Sequence, residues 1–200
     1  QSKVSAQMYH TDGTTRGEEF QINTHTTDCV LHAQYAGVSP KICSLSDGGF
    51  VITWQSYEGD QSYDIYAQIY NANGTTRGGE FQVNTYTDSW QRNPSISSLT
   101  DNGFVVTWES DEQDGSSFGI YAQMYNADGT TKGGEFQVNT YTYGYQGSSS
   151  ISSLADGGFV INWKDGGISG QRFDADGNKI KLYQGPLIIL NTGQTIFYIQ

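Results

Sequence analysis

The feature that most constrains this chain is a stretch that occurs three times and ends each time in tryptophan. The copies occupy residues 44–54, 98–108 and 153–163, and each reads Ser-Leu-x-Asp-x-Gly-Phe-Val-x-x-Trp. They recur at a period of about 55 residues, which is typical of propellers and solenoids. Such a chain is expected to form several small, similar sheets that pack on one another.

A second repeated stretch follows each of the first two copies and also precedes the first. Residues 65–84 contain Ile-Tyr-Ala-Gln, an Asn-Gly pair and Phe-Gln-Val-Asn, and residues 4–23 and 120–139 carry the same pattern with Asp-Gly. A weaker copy begins at Ile168. Because Asn-Gly and Asp-Gly supply the positive φ angles of a tight hairpin, each copy predicts two antiparallel strands.

Together the two stretches make a unit of four strands, named A, B, C and D in chain order. In strand B, Phe50, Ile52 and Trp54 point to one face and Val51 to the other, so this strand is apolar on both faces. A strand buried on both faces is expected where each small sheet lies between two others. The pattern therefore favours four-stranded blades stacked around an axis.

The two ends of the chain determine the predicted number of blades. Residues 1–24 supply strands C and D alone, and residues 186–200 contain two apolar runs that we interpret as strands A and B alone. Pairing these halves would complete a fourth blade and remove exposed sheet edges.

We therefore predict an all-β fold: a single four-bladed β-propeller domain over residues 1–200, with 16 antiparallel strands. The ring would be closed by the N-terminal C and D strands pairing with the C-terminal A and B strands. The alternatives are a β-sandwich and an open stacked repeat array. The predicted blades are residues 39–84, residues 94–139, residues 148–184, and residues 1–24 together with 186–200.

The charge of the chain limits its partners. It has 10 Lys and Arg against 21 Asp and Glu, a net charge of −11. This charge repels phosphate backbones and anionic membrane surfaces, so nucleic acid is not an expected partner. The chain lacks an apolar run of the length that a transmembrane helix needs, so membrane insertion is not expected either.

The two cysteines, Cys29 and Cys43, lie in one long connection between strands. We predict that they form a disulfide, because the acidic, Thr-rich and Tyr-rich composition is typical of a secreted or cell-surface protein. The alternative is two buried thiols.

Residue patterns for common catalytic chemistry are absent from the sequence. The histidines His10, His25 and His32 do not recur at equivalent repeat positions, and they form neither a Ser-His-Asp nor a His-x-x-x-His pattern. Nothing in the sequence selects a pair of carboxylates for glycoside hydrolysis. We therefore expect a chain that is not an enzyme and has no cofactor.

The repeats resemble those of known bacterial proteins over residues 4 to 177. The Leu-x-Asp-x-Gly-Phe-Val-x-x-Trp and Ile-Tyr-Ala-Gln-x-Tyr-Asn-Ala-Asp-Gly strings are similar to tandem repeats of large secreted or cell-surface proteins of the adhesin and RTX kind. The Asp-Gly hairpin before tryptophan is more distantly similar to the Asp-box hairpins of other propellers. These resemblances imply an extracellular location, and they carry no catalytic residues onto this chain.

Antiparallel connectivity divides the loops between two ends of the sheets. The short A–B and C–D turns emerge at one end, here called the turn end. The longer B–C and D–A connections emerge at the other end, here called the loop face, and variable connections on a rigid scaffold are where binding usually resides. The B–C connections are 55–63, 109–117 and 164–167, and the D–A connections are 24–39, 85–93 and 140–147.

The loop face is rich in aromatic rings, amides and carboxylates. Such groups suit sugars, whose C–H faces stack on rings and whose hydroxyls need donors and acceptors. The alternative for each ring is packing on a neighbouring blade. The candidate ligand-binding residues are Tyr57, Asp60, Tyr63, Tyr86, Asp88, Trp90, Arg92, Asp111, Asp114, Tyr141, Tyr143 and Tyr145.

Calcium is the one ion that the sequence suggests. The acidic run 109–114 offers oxygen ligands at short spacing, with Asp111 and Asp114 as the candidates. The carboxylates of residues 174–178 are explained by a hairpin turn instead, and the ligand pattern of an EF-hand is missing.

These observations favour a secreted, non-enzymatic, lectin-like module with several related glycan sites on the loop face. The alternative is a structural or adhesive unit of a larger extracellular assembly, in which the same surface binds protein.

Overall fold

The computed structural model describes residues 3–24, 40–57 and 62–181, and the backbone of 187–189 and 196–198. Every helix or strand found in these residues is a β-strand, so the all-β prediction is confirmed. No helix in this part of the chain could span a membrane. The strands are β1 (Ser5–Tyr9), β2 (Thr15–Gln21), β3 (Lys41–Ser44), β4 (Phe50–Tyr57), β5 (Tyr63–Tyr70), β6 (Thr76–Gln82), β7 (Gln91–Ser98), β8 (Phe104–Asp111), β9 (Phe118–Tyr125), β10 (Thr131–Gln137), β11 (Gly147–Ser153), β12 (Phe159–Lys164), β13 (Ile168–Phe173), β14 (Lys179–Ile180), β15 (Leu187–Ile189) and β16 (Ile196–Tyr198).

Twelve of these strands form three antiparallel sheets of four strands. The first sheet is β3–β6, the second is β7–β10 and the third is β11–β14, and each strand pairs with its neighbour in the sequence. In each sheet the strands are the predicted A, B, C and D in order. The tandem β-strand repeats expected from the sequence are therefore present.

The two ends of the chain form hairpins. β1 pairs with β2, and β15 pairs with β16, each as a separate two-stranded antiparallel sheet. Among the described strands no pairing joins β16 to β1. The blade count and the closure of the ring therefore stay predictions.

The repeated Asp of each tryptophan stretch forms the A–B turn. The Oδ1 atom of Asp47 accepts a hydrogen bond from the backbone N of Gly49 at 2.9 Å, and Asp101 does the same for Gly103 at 2.9 Å. A Cβ atom at Gly103 would overlap the carbonyl oxygen of Tyr125, so only glycine fits there. The best-preserved stretch of the repeat thus belongs to the turn end and is scaffold.

Neighbouring sheets share their hydrophobic cores. Phe104, Val106 and Trp108 of β8 pack in one cluster with residues of the first sheet, whereas Val105 of β8 packs in another cluster with residues of the third. All four side chains are fully buried. A similar cluster joins the N-terminal hairpin to Trp54 of the first sheet. Strand B of the first and second sheets is therefore buried on both faces, because each lies between two sheets, whereas Asn162 of strand B in the third sheet is exposed.

The sheets meet along their A strands. Strand β7 contacts both β3 of the preceding sheet and β11 of the following one. The A strand of the second sheet therefore contacts both neighbouring sheets.

A repeated asparagine joins the C strand, the D strand and the loop that follows them. The Oδ1 atoms of Asn23, Asn84 and Asn139 accept hydrogen bonds from the backbone N of the residue that begins each C-strand stretch, at 2.9, 2.7 and 2.7 Å. The side chains of Asn84 and Asn139 also donate to the backbone O of the second residue of the D–A loop, both at 2.9 Å. The Asn that ends each Phe-Gln-Val-Asn motif therefore fixes the base of the loop face.

Polar side chains also connect successive sheets. Thr24 donates to Oε2 of Glu80 through its backbone N and its hydroxyl at 2.8 and 2.9 Å, and Thr85 donates to Glu135 in the same way at 2.6 and 2.9 Å. The same link thus recurs from the N-terminal hairpin to the first sheet and from the first sheet to the second.

The buried asparagine gives a stability prediction. We expect Asn139→Ala to lower the free energy of unfolding by about 1–3 kcal/mol, because the backbone N of Ile120 loses its buried acceptor. Urea unfolding measures the loss. Asn126→Ala, which changes an exposed turn residue, is the control, and an equal loss in both variants would contradict the role of Asn139.

The turn end gives a pH prediction. The backbone N–H of Gly49 and the guanidinium of Arg77 hold the pKa of Asp47 below its ordinary value of 3.8. The stabilisation is therefore complete above that ordinary value and is lost as the pH falls below it through the folded-state pKa. We expect Asp47→Asn, which keeps the turn acceptor, to melt below the native protein at pH 7 and to match it near about pH 2.

Thermal unfolding between these two pH values is the measurement. Asp176→Asn, a change at an exposed position of a C–D turn, serves as the control. A difference in melting temperature for Asp47→Asn that stays the same at both pH values would show that its charge does not contribute.

Candidate functional site

The two described D–A loops, residues 85–93 and 140–147, are held at both ends by buried amides. In the loop between the second and third sheets, Asn139 donates to the backbone O of Tyr141, and Gln146 Nε2 donates to the backbone O of Tyr143 at 3.2 Å. The backbone N of Gly144 donates to Oγ of Ser116 at 3.1 Å, which ties the loop to the B–C connection. This loop is therefore fixed in shape before any ligand arrives.

Three tyrosine rings of this loop face solvent. Tyr141 is 63% exposed, Tyr143 is 79% exposed and Tyr145 is 43% exposed. Tyr141 and Tyr143 are therefore not covered by a neighbouring sheet, and ligand binding by these rings stays a prediction.

The preceding D–A loop is built on the same plan with different residues. Tyr86, Asp88 and Trp90 stand where Tyr141, Tyr143 and Tyr145 stand in the next loop. Asp88 is exposed, whereas Tyr86 and Trp90 are half-buried. The two loops therefore present unequal surfaces, with one carboxylate where the other loop has a ring.

Three of the predicted aromatic residues meet beside this loop. The ring centroids of Tyr57 and Tyr63 lie 5.2 Å apart, and those of Tyr63 and Trp90 lie 6.0 Å apart, both edge to face. Tyr63 is buried, so its ring supports the other two. The burial of Tyr63 therefore favours a packing role for this residue over direct contact with a ligand.

A buried carboxylate, Glu109, lies below Tyr145 and Arg92. Its side chain is 0% exposed, and Nε of Arg92 donates to its Oε2 at 2.9 Å. The Arg92 guanidinium carbon also lies 3.7 Å from the centre of the Phe118 ring. The carboxylate and the ring thus hold Arg92 in one orientation, with 27% of its side chain exposed.

Glu109 accepts three further hydrogen bonds. Its Oε1 accepts from the side chain of Asn93 at 3.0 Å and from the backbone N of Ser148 at 2.7 Å. Its Oε2 accepts from the hydroxyl of Tyr145 at 3.4 Å. The bond to Ser148 joins the second sheet to the third.

The candidate residues from the sequence did not include Glu109, Asn93 or Phe118. A signal for Glu109 was available, because it directly follows Trp108, and the residues after the other two repeated tryptophans, Gln55 and Lys164, are also polar. A polar residue repeated at the end of a buried strand indicates a recurring polar contact.

Gly147 leaves the space that the ring of Tyr145 occupies. A Cβ atom at Gly147 would overlap the ring and hydroxyl of Tyr145. The edge of the ring also packs on Phe118, with centroids 5.9 Å apart. Burial, and then the negative charge of Glu109, raise the pKa of the Tyr145 hydroxyl, so it stays a neutral donor.

The predicted calcium ligands contact different partners. Asp111 Oδ2 accepts from the hydroxyl of Ser89 at 2.7 Å, and Asp114 accepts from the backbone N of Ser116 and from the side chain of Gln137 at 3.1 and 3.2 Å. The described residues contain no group of three or more His, Cys, Asp or Glu side chains that could hold a metal ion. Asp60 lies outside the described residues.

The predicted disulfide cannot be placed. Cys43 lies on β3 and has no disulfide partner among the described residues, and burial raises the pKa of its thiol to about 12. Cys29 lies outside the described residues, so the pairing stays a prediction.

Comparison with known proteins finds one similar solved structure to report and assigns the chain to no family. No protein family and no curated protein matches the chain. Among solved structures, the chain is similar to that of a thermostable family-43 glycoside hydrolase, with a TM-score of 0.46 and 12% sequence identity over 92% of this chain and 72% of that one. At these values the similarity assigns no activity to this chain. The resemblance to adhesin and RTX repeats is not shown by these comparisons.

The similarity corrects one expectation from the sequence. The prediction that the chain is not an enzyme is contradicted, because the similar structure is that of a glycoside hydrolase. That prediction used the missing histidine motifs and the lack of any sequence feature that selects a pair of carboxylates. Glycoside hydrolysis needs only two carboxylates at a suitable distance, and that distance depends on tertiary structure.

The contact between Gly147 and Tyr145 gives a prediction. We expect Gly147→Ala to lower the free energy of unfolding by about 1–3 kcal/mol, because the added methyl group forces the Tyr145 ring away. Chemical unfolding and the near-ultraviolet circular dichroism of the tyrosines measure this change. Gly134→Ala is the control, because its Cβ would meet no atom within 4 Å. An unchanged spectrum for Gly147→Ala would contradict the packing described here.

Proposed function

We propose that the chain binds carbohydrate on its loop face, centred on the loop of residues 140–147. The observation that carries this proposal is the exposure of Tyr141, Tyr143 and Tyr145 on a loop held at both ends by buried amides. A group of exposed aromatic rings on an ordered loop is typical of an interaction site, and sugar rings are suitable partners for them.

Polar groups beside the rings supply the second requirement of sugar binding. Sugar hydroxyls need both donors and acceptors, and the Arg92 guanidinium and the Tyr145 hydroxyl lie within one hydrogen-bonded group around Glu109. Asp88 on the preceding loop offers an exposed carboxylate acceptor. Rings and polar groups thus lie on neighbouring connections of the same face.

The fixed loops also favour binding. A loop that is already ordered loses little conformational entropy when a ligand binds, so modest contacts suffice. Two D–A loops of the same plan but different residues would give related, unequal sites. A polymer with repeated sugar units could engage both sites and gain affinity from simultaneous contact.

The number of blades and the closure of the ring are also proposals. We propose that the C-terminal hairpin, β15–β16, pairs with β1 and completes a fourth blade. In the first and second sheets, Tyr70 and Tyr125 are 2% exposed and stack on Phe50 and Phe104 of strand B. Tyr9, at the same repeat position of β1, is 62% exposed, as expected of a C strand without its B strand.

A second candidate function has support from the same uncovered surfaces. Ile168 of β13 is exposed, whereas Ile120 at the equivalent position of β9 is fully buried against the next sheet. If the C-terminal hairpin of another copy covers such faces, the chain is a unit of a larger assembly. Sedimentation distinguishes the two cases, because a closed ring stays monomeric and an assembly grows with concentration.

A glycan array followed by titration tests the binding proposal. We expect the native chain to bind oligosaccharides on the array, and Tyr143→Ala with Tyr145→Ala to weaken the best interaction by at least about tenfold, because each stacking ring contributes roughly 1 kcal/mol. The melting temperature reports whether the double variant stays folded.

The control is Asn126→Ala, which changes an exposed residue of a C–D turn at the turn end, away from the loop face. It should leave glycan affinity unchanged. Absence of binding on the array, together with concentration-dependent self-association, would contradict glycan binding and favour the assembly unit.

A further inference from the structure

We infer that Glu109 makes the loop face selective for uncharged glycans, because it neutralises Arg92 next to the exposed ring of Tyr145. This inference rests on the proposed glycan binding and adds the class of sugar. It assigns a specificity role to a residue that is buried and does not itself face solvent.

Glu109 has two tasks, which are to join two sheets and to hold Arg92. Its Oε1 accepts the backbone N of Ser148 in the third sheet, and Gln55 does the equivalent task one repeat earlier, where its Oε1 accepts the backbone N of Asn93 at 2.8 Å. A neutral amide is therefore sufficient to join neighbouring sheets. The negative charge at position 109 must be explained by its other partner.

That partner is Arg92, and the residue type at this repeat position differs between the second and third sheets. Arg92 lies opposite Glu109 on the paired strands β7 and β8, and Gly147 takes the place of Arg92 in the third sheet. The sheet with a glutamate at the end of strand B thus also has an arginine at the start of strand A. The charges occur together because each compensates the other.

The pair keeps Arg92 available for hydrogen bonding without a net charge. The described contact with Glu109 uses Nε, and the guanidinium carbon lies over the Phe118 ring. A fixed guanidinium without a partner attracts carboxylate and sulfate groups strongly. When Glu109 compensates its charge, the Arg92 guanidinium still donates hydrogen bonds to hydroxyl groups. A neutral sugar that stacks on Tyr145 supplies such hydroxyl groups.

Carboxylates near this site also disfavour anionic sugars. Burial, followed by the negative charges of Asp88, Glu112 and Asp111, raises the pKa of Tyr86 on the preceding loop. These carboxylates place a negative potential over the face, in a chain whose net charge is −11. An anionic sugar that stacks on Tyr145 would therefore meet these carboxylates and an Arg92 whose charge is already compensated.

The test compares each sugar with its charged form. The probes are neutral gluco-, manno- and galacto-oligosaccharides and the same oligosaccharides oxidised at C6 to uronates, titrated at low salt. We expect the native chain to bind the neutral form at least about tenfold more tightly. Glu109→Gln should reduce this preference by about tenfold or more, because Arg92 then carries an uncompensated charge.

Two variants control the interpretation. Glu19→Gln removes one negative charge from an exposed position of β2, and it should leave the preference unchanged. Arg92→Gln combined with Glu109→Gln removes both charges of the pair and should restore the preference for the neutral form. The presence of Gln55 at the equivalent position indicates that the fold accepts glutamine at 109.

The outcomes separate this inference from the proposed function. Binding of neither form by the native chain contradicts glycan binding itself. Equal or tighter binding of the C6-carboxylate form by the native chain contradicts the role of Glu109 while glycan binding stands. An unchanged preference in folded Glu109→Gln also contradicts it.

Discussion

Burial of strand B on both faces is the constraint on which the rest of this structure depends. A four-stranded sheet whose second strand is apolar on both sides cannot be stable alone in water, so each sheet needs a neighbour on either face. Phe104, Val105, Val106 and Trp108 show this directly, because successive side chains of one strand enter two different cores. The polar links from Thr85 to Glu135 and from Ser148 to Glu109 then set how neighbouring sheets are placed.

The packing of the sheets also fixes the conformation of the described D–A loops on the loop face. The asparagines that satisfy the C strands also hold the D–A loops, so the scaffold and the loops share their hydrogen bonds. Positions that the scaffold does not need are free to differ between repeats, as Asp88 and Tyr143 do. Glu109 combines both roles, because one oxygen joins two sheets and the other holds Arg92.

Sequence reasoning located the strands, the turns and the face that carries varied residues, because these follow from local alternation and turn chemistry. It could not separate rings that face solvent from rings that support others. Tyr63 and Tyr143 look alike in the sequence, yet one is buried beside Trp90 and the other is exposed. It also omitted Glu109, because its partners Arg92, Asn93 and Ser148 come from another strand and another sheet.

The sequence alone therefore determined the repeat, the strand order within each unit and the apolar pattern of strand B, since each depends on residues close together in the chain. Only the tertiary structure decided which side chains meet on the loop face. It brought Arg92, Glu109 and Tyr145 into contact and left Asp111 and Asp114 with separate partners. The physical reason is that these contacts depend on how neighbouring sheets pack and how each connection turns, which no periodic pattern within one unit records.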